Sequence, residues 1–310
     1  MSFDLIGDIH GCADTLRLLL MDLGYKEKQG VHEHPTRQVI FLGDFVDRGP
    51  KQRETLEIVR PMIDNDTAKA VMGNHEFNAI AFATRRREGD EYLRPRNKKH
   101  TGQHKAFIAE YEHAPEDWSS AVDWFRSLPL WLELDGLRVV HAVWASDTIK
   151  RLKDSYGISA LFNDEFLFES NEQGTWQYDA IELILKGQEV ELPPGLEYLD
   201  KDNNRRTAIR TRWWDETVET YREAYLGPPE HRDTVPTDPL PNRSPLAYGP
   251  SEPPVFVGHY WQTGEPKPLA ANVACLDYSV GKHGSLAAYR WDGEQELSTE
   301  KFVTVERVDP

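Results

Sequence analysis

Short apolar runs that stop at a glycine recur along the first quarter of the chain. Residues 3–6, 39–42 and 68–72 are apolar runs of this kind, and each is followed directly by a glycine. Residues 13–23 and 51–59 then carry apolar side chains at helical spacing. The repeated order of strand, turn and helix predicts neighbouring, largely parallel strands. Their carboxyl ends would share one edge, which is where open α/β sheets bind ligands.

The middle of the chain predicts helices and one hairpin. Helical spacing covers residues 74–87, 103–111 and 118–127, so we expect a helical insertion at 77–127. Two strands, 130–133 and 137–140, flank an Asp-Gly pair that is typical of a hairpin turn.

The second half has a weaker pattern. Residues 146–206 predict only mixed helix and loop. Residues 227–254 contain nine of the twenty prolines, which predicts a long proline-rich loop. Three strand candidates follow at 255–257, 273–276 and 286–289, and we expect them in a second sheet. The expected organisation is a single domain over residues 1–310.

Composition narrows the functional classes. A formal charge of −16 argues against a stable complex with nucleic acid and against binding to anionic membranes. No apolar run is long enough to span a membrane, and the N-terminal residues lack a leader pattern. Cys12 and Cys275 cannot form a disulfide framework, which favours a reducing compartment. We therefore expect a cytoplasmic protein.

Candidate metal ligands follow the apolar runs in five blocks. The blocks are Gly-Asp-Ile-His-Gly at 7–11, Gly-Asp-Phe-Val-Asp-Arg-Gly-Pro at 43–50, Gly-Asn-His-Glu at 73–76, Val-Val-His at 139–141 and Gly-His at 258–259. Asp8 and His10 lie two residues apart, so both point to the same side of an extended segment. His141 or His259 taken singly is as well explained as a buried core histidine. Five such blocks together favour a site.

The mixture of carboxylate, amide and imidazole donors suits Mn, Fe or Zn better than Ca or Mg. A closed structural zinc site would use thiolates, and the only two cysteines are far apart in sequence. The sequence therefore predicts a catalytic metal site with open positions.

These motifs resemble the calcineurin-like metallophosphoesterase superfamily, in its phosphoprotein-phosphatase-like branch. The resemblance implies an α/β fold in which two mixed β-sheets pack as a sandwich flanked by helices, with two divalent metals at the rim. Manganese is the expected ion, with iron or zinc as alternatives. The implied ligands are Asp8, His10 and Asp44 for one metal and Asp44, Asn74, His141 and His259 for the other. Trp261 stands where other branches have a further histidine, which fits this branch.

The resemblance also implies the roles of neighbouring residues. A hydroxide shared by the two metals would be the nucleophile. His75 would protonate the leaving oxygen, and Asp47 would orient its ring. Arg48 would hold the phosphate together with Asn74.

A second phosphate-binding arginine is less clearly indicated. Arg212 is slightly favoured over Arg210, and an ordinary surface arginine beside packed tryptophans is an equally good interpretation.

Several substrates fit this pattern. The first hypothesis is hydrolysis of phosphate monoesters on proteins or small molecules, and the alternative is a symmetrical dinucleoside-polyphosphate hydrolase. A non-catalytic metal-binding scaffold and a nuclease are weaker. The bulky Val143-Trp144 pair beside His141 leaves the shape of the substrate open. Residues 85–105 hold eight Lys or Arg against three acids, which is either a solvated helix end or a lobe that steers polyanionic substrates.

Overall fold

Two mixed β-sheets face each other in the computed structural model, which describes residues 2–157, 163–199, 205–227, 229–241, 246 and 248–310. The first sheet runs in the order β15 (Phe302–Glu306), β14 (Ser285–Trp291), β1 (Ser2–Ile6), β4 (Arg37–Phe41) and β5 (Ala68–Ala70). The second runs in the order β13 (Val273–Cys275), β12 (Val255–Val257), β7 (Leu137–Val140) and β6 (Trp131–Leu134). Both sheets combine parallel and antiparallel pairs. The expected sandwich of two mixed sheets is confirmed.

Successive side chains of a strand point to opposite faces of the sheet, and this explains how the two sheets and the helices pack. Phe3 and Leu5 of β1 pack in one cluster with Val139 of β7 and Phe256 of β12, which fills the space between the sheets. Ile6 belongs instead to the cluster shared with the helices. Each sheet therefore buries both faces, as expected for α/β proteins with helical cover.

The helices and short hairpins complete the described fold. The helices are α1 (Ala13–Asp22), α2 (Gln52–Asp64), α3 (Asn74–Ala83), α4 (Lys98–Gln103), α5 (Lys105–Tyr111), α6 (Pro115–Ser127), α7 (Ser146–Tyr156), α8 (Asp164–Glu169), α9 (Trp176–Lys186) and α10 (Tyr221–Ala224). The small two-stranded sheets pair β2 (Lys26–Lys28) with β3 (Val31–Glu33), β8 (Glu189–Glu191) with β11 (Ala208–Arg210), and β9 (Tyr198–Leu199) with β10 (Arg205–Arg206). Short 3₁₀ helices cover Pro229–Thr234, Val280–Lys282 and Thr299–Lys301.

The predicted elements of the first quarter are present, but the helix predicted over 51–59 continues through Pro61 to Asp64. The helix predicted over 74–87 ends at Ala83, because Thr84 is extended. Residues 77–127 contain α4 to α6. The proline-rich loop holds the 3₁₀ helix Pro229–Thr234, while its residues 228, 242–245 and 247 lie outside the described part.

One strand was placed in the wrong sheet. β14 was expected beside β12 and β13, but it pairs antiparallel with β1 in the first sheet, with Phe3 opposite Trp291. β14 is buried along most of its length, and an apolar run of this kind does not encode which edge it joins. In the described part of the chain, no helix combines the length and apolar character needed to cross a membrane.

Candidate metal centre and cleft

The five sequence blocks meet at one edge of the sandwich. Each block follows the carboxyl end of a strand, in the order β1, β4, β5, β7 and β12. The side chains that come together there form what we call the metal rim: Asp8, His10, Asp44, Asn74, His141 and His259. The aspartates and histidines of the rim are all buried.

Asp44 lies at the middle of the metal rim. Its carboxylate oxygens lie 3.7 Å from Nε2 of His10 and 3.4 Å from Nε2 of His141. Oδ1 of Asn74 lies 3.1 Å from Nε2 of His141 and 2.8 Å from Nδ1 of His259. Two groups of buried side chains have ligand atoms within 4.8 Å of one another, namely His10, Asp44 and His75, and Asp8, Asp44 and His141. Asp44 is shared by both groups.

Backbone carbonyls orient two of the three rim imidazoles. Nδ1 of His10 lies 3.0 Å from the carbonyl of Val46, and Nδ1 of His141 lies 2.7 Å from that of Leu42. A ring that donates through Nδ1 presents its Nε2 lone pair to a metal. Burial and the charge of Arg48 lower the pKa of His10 to about 3, so its ring is neutral and able to coordinate.

The charges of the metal rim also favour the binding of cations. Burial and the nearby Asp277 raise the pKa of Asp8 well above its usual range. Burial opposes protonation of His141, but the charge of Asp44 outweighs it and raises the pKa of His141 to about 10. Buried carboxylates are stable only when a positive charge compensates them. A divalent ion would supply that charge and displace the proton from His141.

The backbone of this edge is strained. Ten non-glycine residues of the described chain have positive φ, and six of them lie here: His10, Asp44, Asp47, Arg48, His259 and Trp261. Such conformations are costly and cluster at functional sites. Close approach adds a further constraint, because a Cβ on Gly258 would lie 2.1 Å from Oδ1 of Asp8.

Glu76 connects two of the loops and was assigned no role from sequence. Its buried carboxylate accepts hydrogen bonds from the backbone N–H groups of Asp44 and Gly73, at 2.8 and 3.0 Å, and from that of Phe45 at 2.8 Å. Burial and the charge of Asp44 raise the pKa of Glu76 to about 7, against the effect of the backbone donors. Glu76 is the last residue of the Gly-Asn-His-Glu block, and its place in that block was the one sequence feature that could have pointed to a role.

Asp47, His75 and Arg48 stand together beside the metal rim. Nδ1 of His75 lies 2.5 Å from Oδ2 of Asp47, which matches the predicted orienting contact. Burial lowers the pKa of His75, but the charge of Asp44 and the hydrogen bond to Asp47 outweigh it, so the pKa of His75 is raised. Arg48 is exposed to the cleft, with Nη2 3.4 Å from Nε2 of His75 and its guanidinium 4.1 Å from the ring centre of Trp261.

A cleft of about 1060 Å³ opens beside these residues. We call its other side the cleft wall, formed by lining residues from 78–104 and 178–210. The basic residues that line the cleft are Arg48, Arg94, Lys186, Arg205, Arg206, Arg210 and Lys282.

Two expectations about the cleft change. Arg210 lines it, whereas Arg212 does not: Arg212 pairs with Asp215 at 3.1 Å. β11 ends at Arg210, so the alternation that would place both arginines on one side stops there. Val143 and Trp144 are buried in the core and do not line the cleft, so their bulk leaves it open.

A hydrolase that uses divalent metals on phosphate esters is the class of protein that this edge defines. The chain belongs to the calcineurin-like phosphoesterase family, whose model matches residues 1–234. That family depends on divalent metals, and the metal rim supplies suitable donors.

Several named relatives are tetraphosphatases. Bis(5'-nucleosyl)-tetraphosphatase PrpE [asymmetrical] of Geobacillus sp. is 30% identical over 183 residues, which are 56% of this chain and 70% of that protein. The namesake of Halalkalibacterium halodurans is 47% identical over 76 residues, and the match spans only 31% of that protein. Bis(5'-nucleosyl)-tetraphosphatase, symmetrical, of Vibrio campbellii is 27% identical over 95% of this chain and 97% of its own.

Solved structures agree on the fold. The cold-active protein-tyrosine phosphatase of a Shewanella species matches 99% of this chain and 80% of its own with a TM-score of 0.50. At 16% identity this likeness concerns the architecture alone.

Proposed function

We propose that this chain is a dinuclear phosphoesterase that hydrolyses phosphate monoesters on proteins or small molecules. The observation that carries the proposal is the shared position of Asp44 between two groups of metal donors, beside the His75–Asp47 pair. A non-catalytic scaffold has no need of such a pair.

The residues divide the work. Following the family resemblance, Asp8, His10 and Asp44 would hold one ion, and Asp44, Asn74, His141 and His259 would hold the second. The two groups of close donor atoms share Asp44 in the same way, but they place His75 with His10 and Asp8 with His141. When bound, the two ions lower the pKa of water and polarise the phosphoryl group. The protein's own side chains would donate the proton to the leaving oxygen and hold the phosphate.

His75 is the proposed general acid. Its Nδ1 faces Asp47, so Nε2 is left to give a proton to the leaving oxygen. Arg48, exposed to the cleft and stacked on Trp261, would hold the phosphate oxygens together with Asn74. Arg210 replaces Arg212 as the proposed second phosphate arginine, since it lines the cleft.

Manganese is the proposed ion, with iron or zinc as alternatives, because the donors mix carboxylate, amide and imidazole groups. A cytoplasmic location is also proposed. Cys12 and Cys275 are buried and unpaired, which suits a reducing compartment.

A second candidate is hydrolysis of dinucleoside polyphosphates. The relatives named as tetraphosphatases favour it, and so does a cleft of about 1060 Å³ with seven basic residues in its lining. The sequence motifs suggested symmetrical cleavage alone, whereas the relatives include proteins named for symmetrical and for asymmetrical cleavage.

A side-by-side substrate panel tests both candidates. Manganese-loaded protein is assayed on an aryl phosphate, a set of phosphopeptides and diadenosine tetraphosphate, with the Asp44→Asn protein as a control for contaminating activity. Turnover of the monoesters supports the first candidate. Preference for the tetraphosphate supports the second, with two ADP marking symmetrical cleavage and ATP plus AMP marking asymmetrical cleavage. Metal binding without turnover of any of them would leave the scaffold as the better explanation.

A further inference from the structure

A second histidine holds the carboxylate that orients His75. His104 lies between α4 and α5, outside all five sequence blocks, and is 1% exposed. Its Nδ1 lies 2.8 Å from Oδ2 of Asp47, the same oxygen that lies 2.5 Å from Nδ1 of His75. One buried oxygen therefore accepts from two imidazoles.

His104 borders the cleft but exposes almost no surface to it. Its Nε2 is buried and has no hydrogen-bond partner among the described residues. Its ring packs against Phe82, with ring centres 5.3 Å apart. Asp47 is thus the one polar contact that the described structure gives this side chain.

The carboxylate of Asp47 depends on that contact. Its other oxygen, Oδ1, has no partner in the described part of the structure. The rotation of the carboxylate is therefore set by His75 and His104 alone. The side chain of Gln52 accepts a hydrogen bond from the backbone N–H of Asp47, at 2.6 Å, but makes none to the Asp47 carboxylate.

We propose that His104 is a positioning residue, which holds Asp47 so that His75 points at the leaving oxygen. The inference rests on the proposed role of His75 as general acid. A catalytic group must keep its orientation within about 10–20°. Without His104 the Asp47 carboxylate is held on one side only, and the imidazole that it orients loses its fixed direction.

The expected signature is a dependence on the leaving group. An aryl oxide with a low pKa leaves without much help from an acid, whereas an alkoxide requires the proton. Loss of His104 should therefore harm hydrolysis of an alkyl phosphate more than hydrolysis of a nitrophenyl phosphate. A purely structural defect would lower both rates alike.

The experiment compares kcat for both esters in manganese-loaded wild type, His104→Leu, His104→Gln, His104→Asn and His75→Asn. The amide of Asn places an N–H where Nδ1 stood, while Leu and Gln do not. We expect a loss of about 10-fold or more on the alkyl phosphate for Leu and Gln, about 3-fold or less on the aryl phosphate, and near-complete rescue by Asn. Unchanged metal content and unchanged KM should accompany these losses.

Two results would overturn the inference, and they are distinguishable. Equal losses on both esters in His104→Leu and His104→Gln, while His75→Asn still discriminates between the esters, refute the positioning role alone. A His75→Asn protein that does not discriminate refutes the acid role and with it this inference. If His104→Leu does not fold, the Gln and Asn pair decides.

Discussion

The metal rim and the cleft wall are built in different ways. The aspartates and histidines of the metal rim are buried, the rim residues follow strand ends, and three of the six have positive φ. Wall side chains come from the insertion and from residues 178–210, and many are charged. If the reaction depends mainly on the metal rim and the substrate preference mainly on the cleft wall, changes in each should have different signatures.

The largest effect should come from the centre of the metal rim. Asp44→Asn removes a charge that both donor groups share, so we expect loss of turnover on every substrate together with loss of metal. Metal analysis of the purified protein, run beside the activity assay, checks this. Full occupancy by two metals with undiminished activity would show that the metal rim is wrongly assigned.

A smaller effect is expected from the proposed acid. His75→Asn should keep its metals but lose about 10²-fold in kcat, because proton transfer typically contributes about that much. Metal content and kcat measured on the same preparation separate this result from that of Asp44→Asn. A loss of metal comparable to that of Asp44→Asn would instead make His75 part of the metal rim.

Asp47 contacts both His75, beside the metal rim, and His104, in the cleft wall. We expect its ionisation to make the stability of the fold depend on pH. Burial raises its pKa, but the hydrogen bonds from His104 and His75 outweigh it and lower the pKa to about 2, from an ordinary 3.8. A carboxyl whose pKa is lower in the folded state stabilises the fold above pH 4 and loses that contribution as pH falls toward 2. The shift corresponds to about 2 kcal/mol.

Urea unfolding of wild type and Asp47→Asn at several pH values measures this contribution. The free energy of unfolding should differ by about 2 kcal/mol at pH 6, and the difference should shrink steadily below pH 4. A difference that does not change with pH would mean that the ionised carboxylate is not its source.

The smallest effect is expected in the cleft wall. Arg94 lines the cleft, where it donates to Asn78 and Gln103. Arg96, two residues away, stacks on Tyr92 at 3.4 Å and does not line the cleft. Arg94→Gln should raise KM for a polyphosphate about threefold to tenfold and change KM for a small aryl phosphate little, since local charge acts on polyanions.

Arg96→Gln is the matched control for that prediction, because it removes the same charge from the same segment. It should leave both KM values near those of wild type. Equal changes in the two variants would favour a general charge effect of residues 85–105 over a role of the cleft wall.

Sequence reasoning was strongest where local pattern and chemistry coincide. Asp8, Asp44 and Asn74 follow apolar runs of neighbouring parallel strands, so the sheet edge that collects them follows from the strand pattern. The contact of His75 with Asp47 was expected from the family resemblance, and in the structure Nδ1 of His75 lies 2.5 Å from Oδ2 of Asp47.

Long-range contacts explain what sequence reasoning missed. His104 lies within the basic stretch 85–105 and had no predicted role, because its partner Asp47 lies 57 residues earlier in the chain. The choice between Arg210 and Arg212 depended on where β11 ends, which no local pattern encodes. The bulk of Trp144 was visible in the sequence, but its direction into the core was not.

Glu76 has a consequence for protein engineering. One carboxylate holds the backbone of the second and third blocks together, so variation at 43–50 or 73–76 risks moving both at once. A library that seeks a new substrate should therefore leave those blocks intact and randomise lining positions such as Tyr178, Glu191 and Arg206. The scaffold then retains its reactivity while its selectivity is evolved.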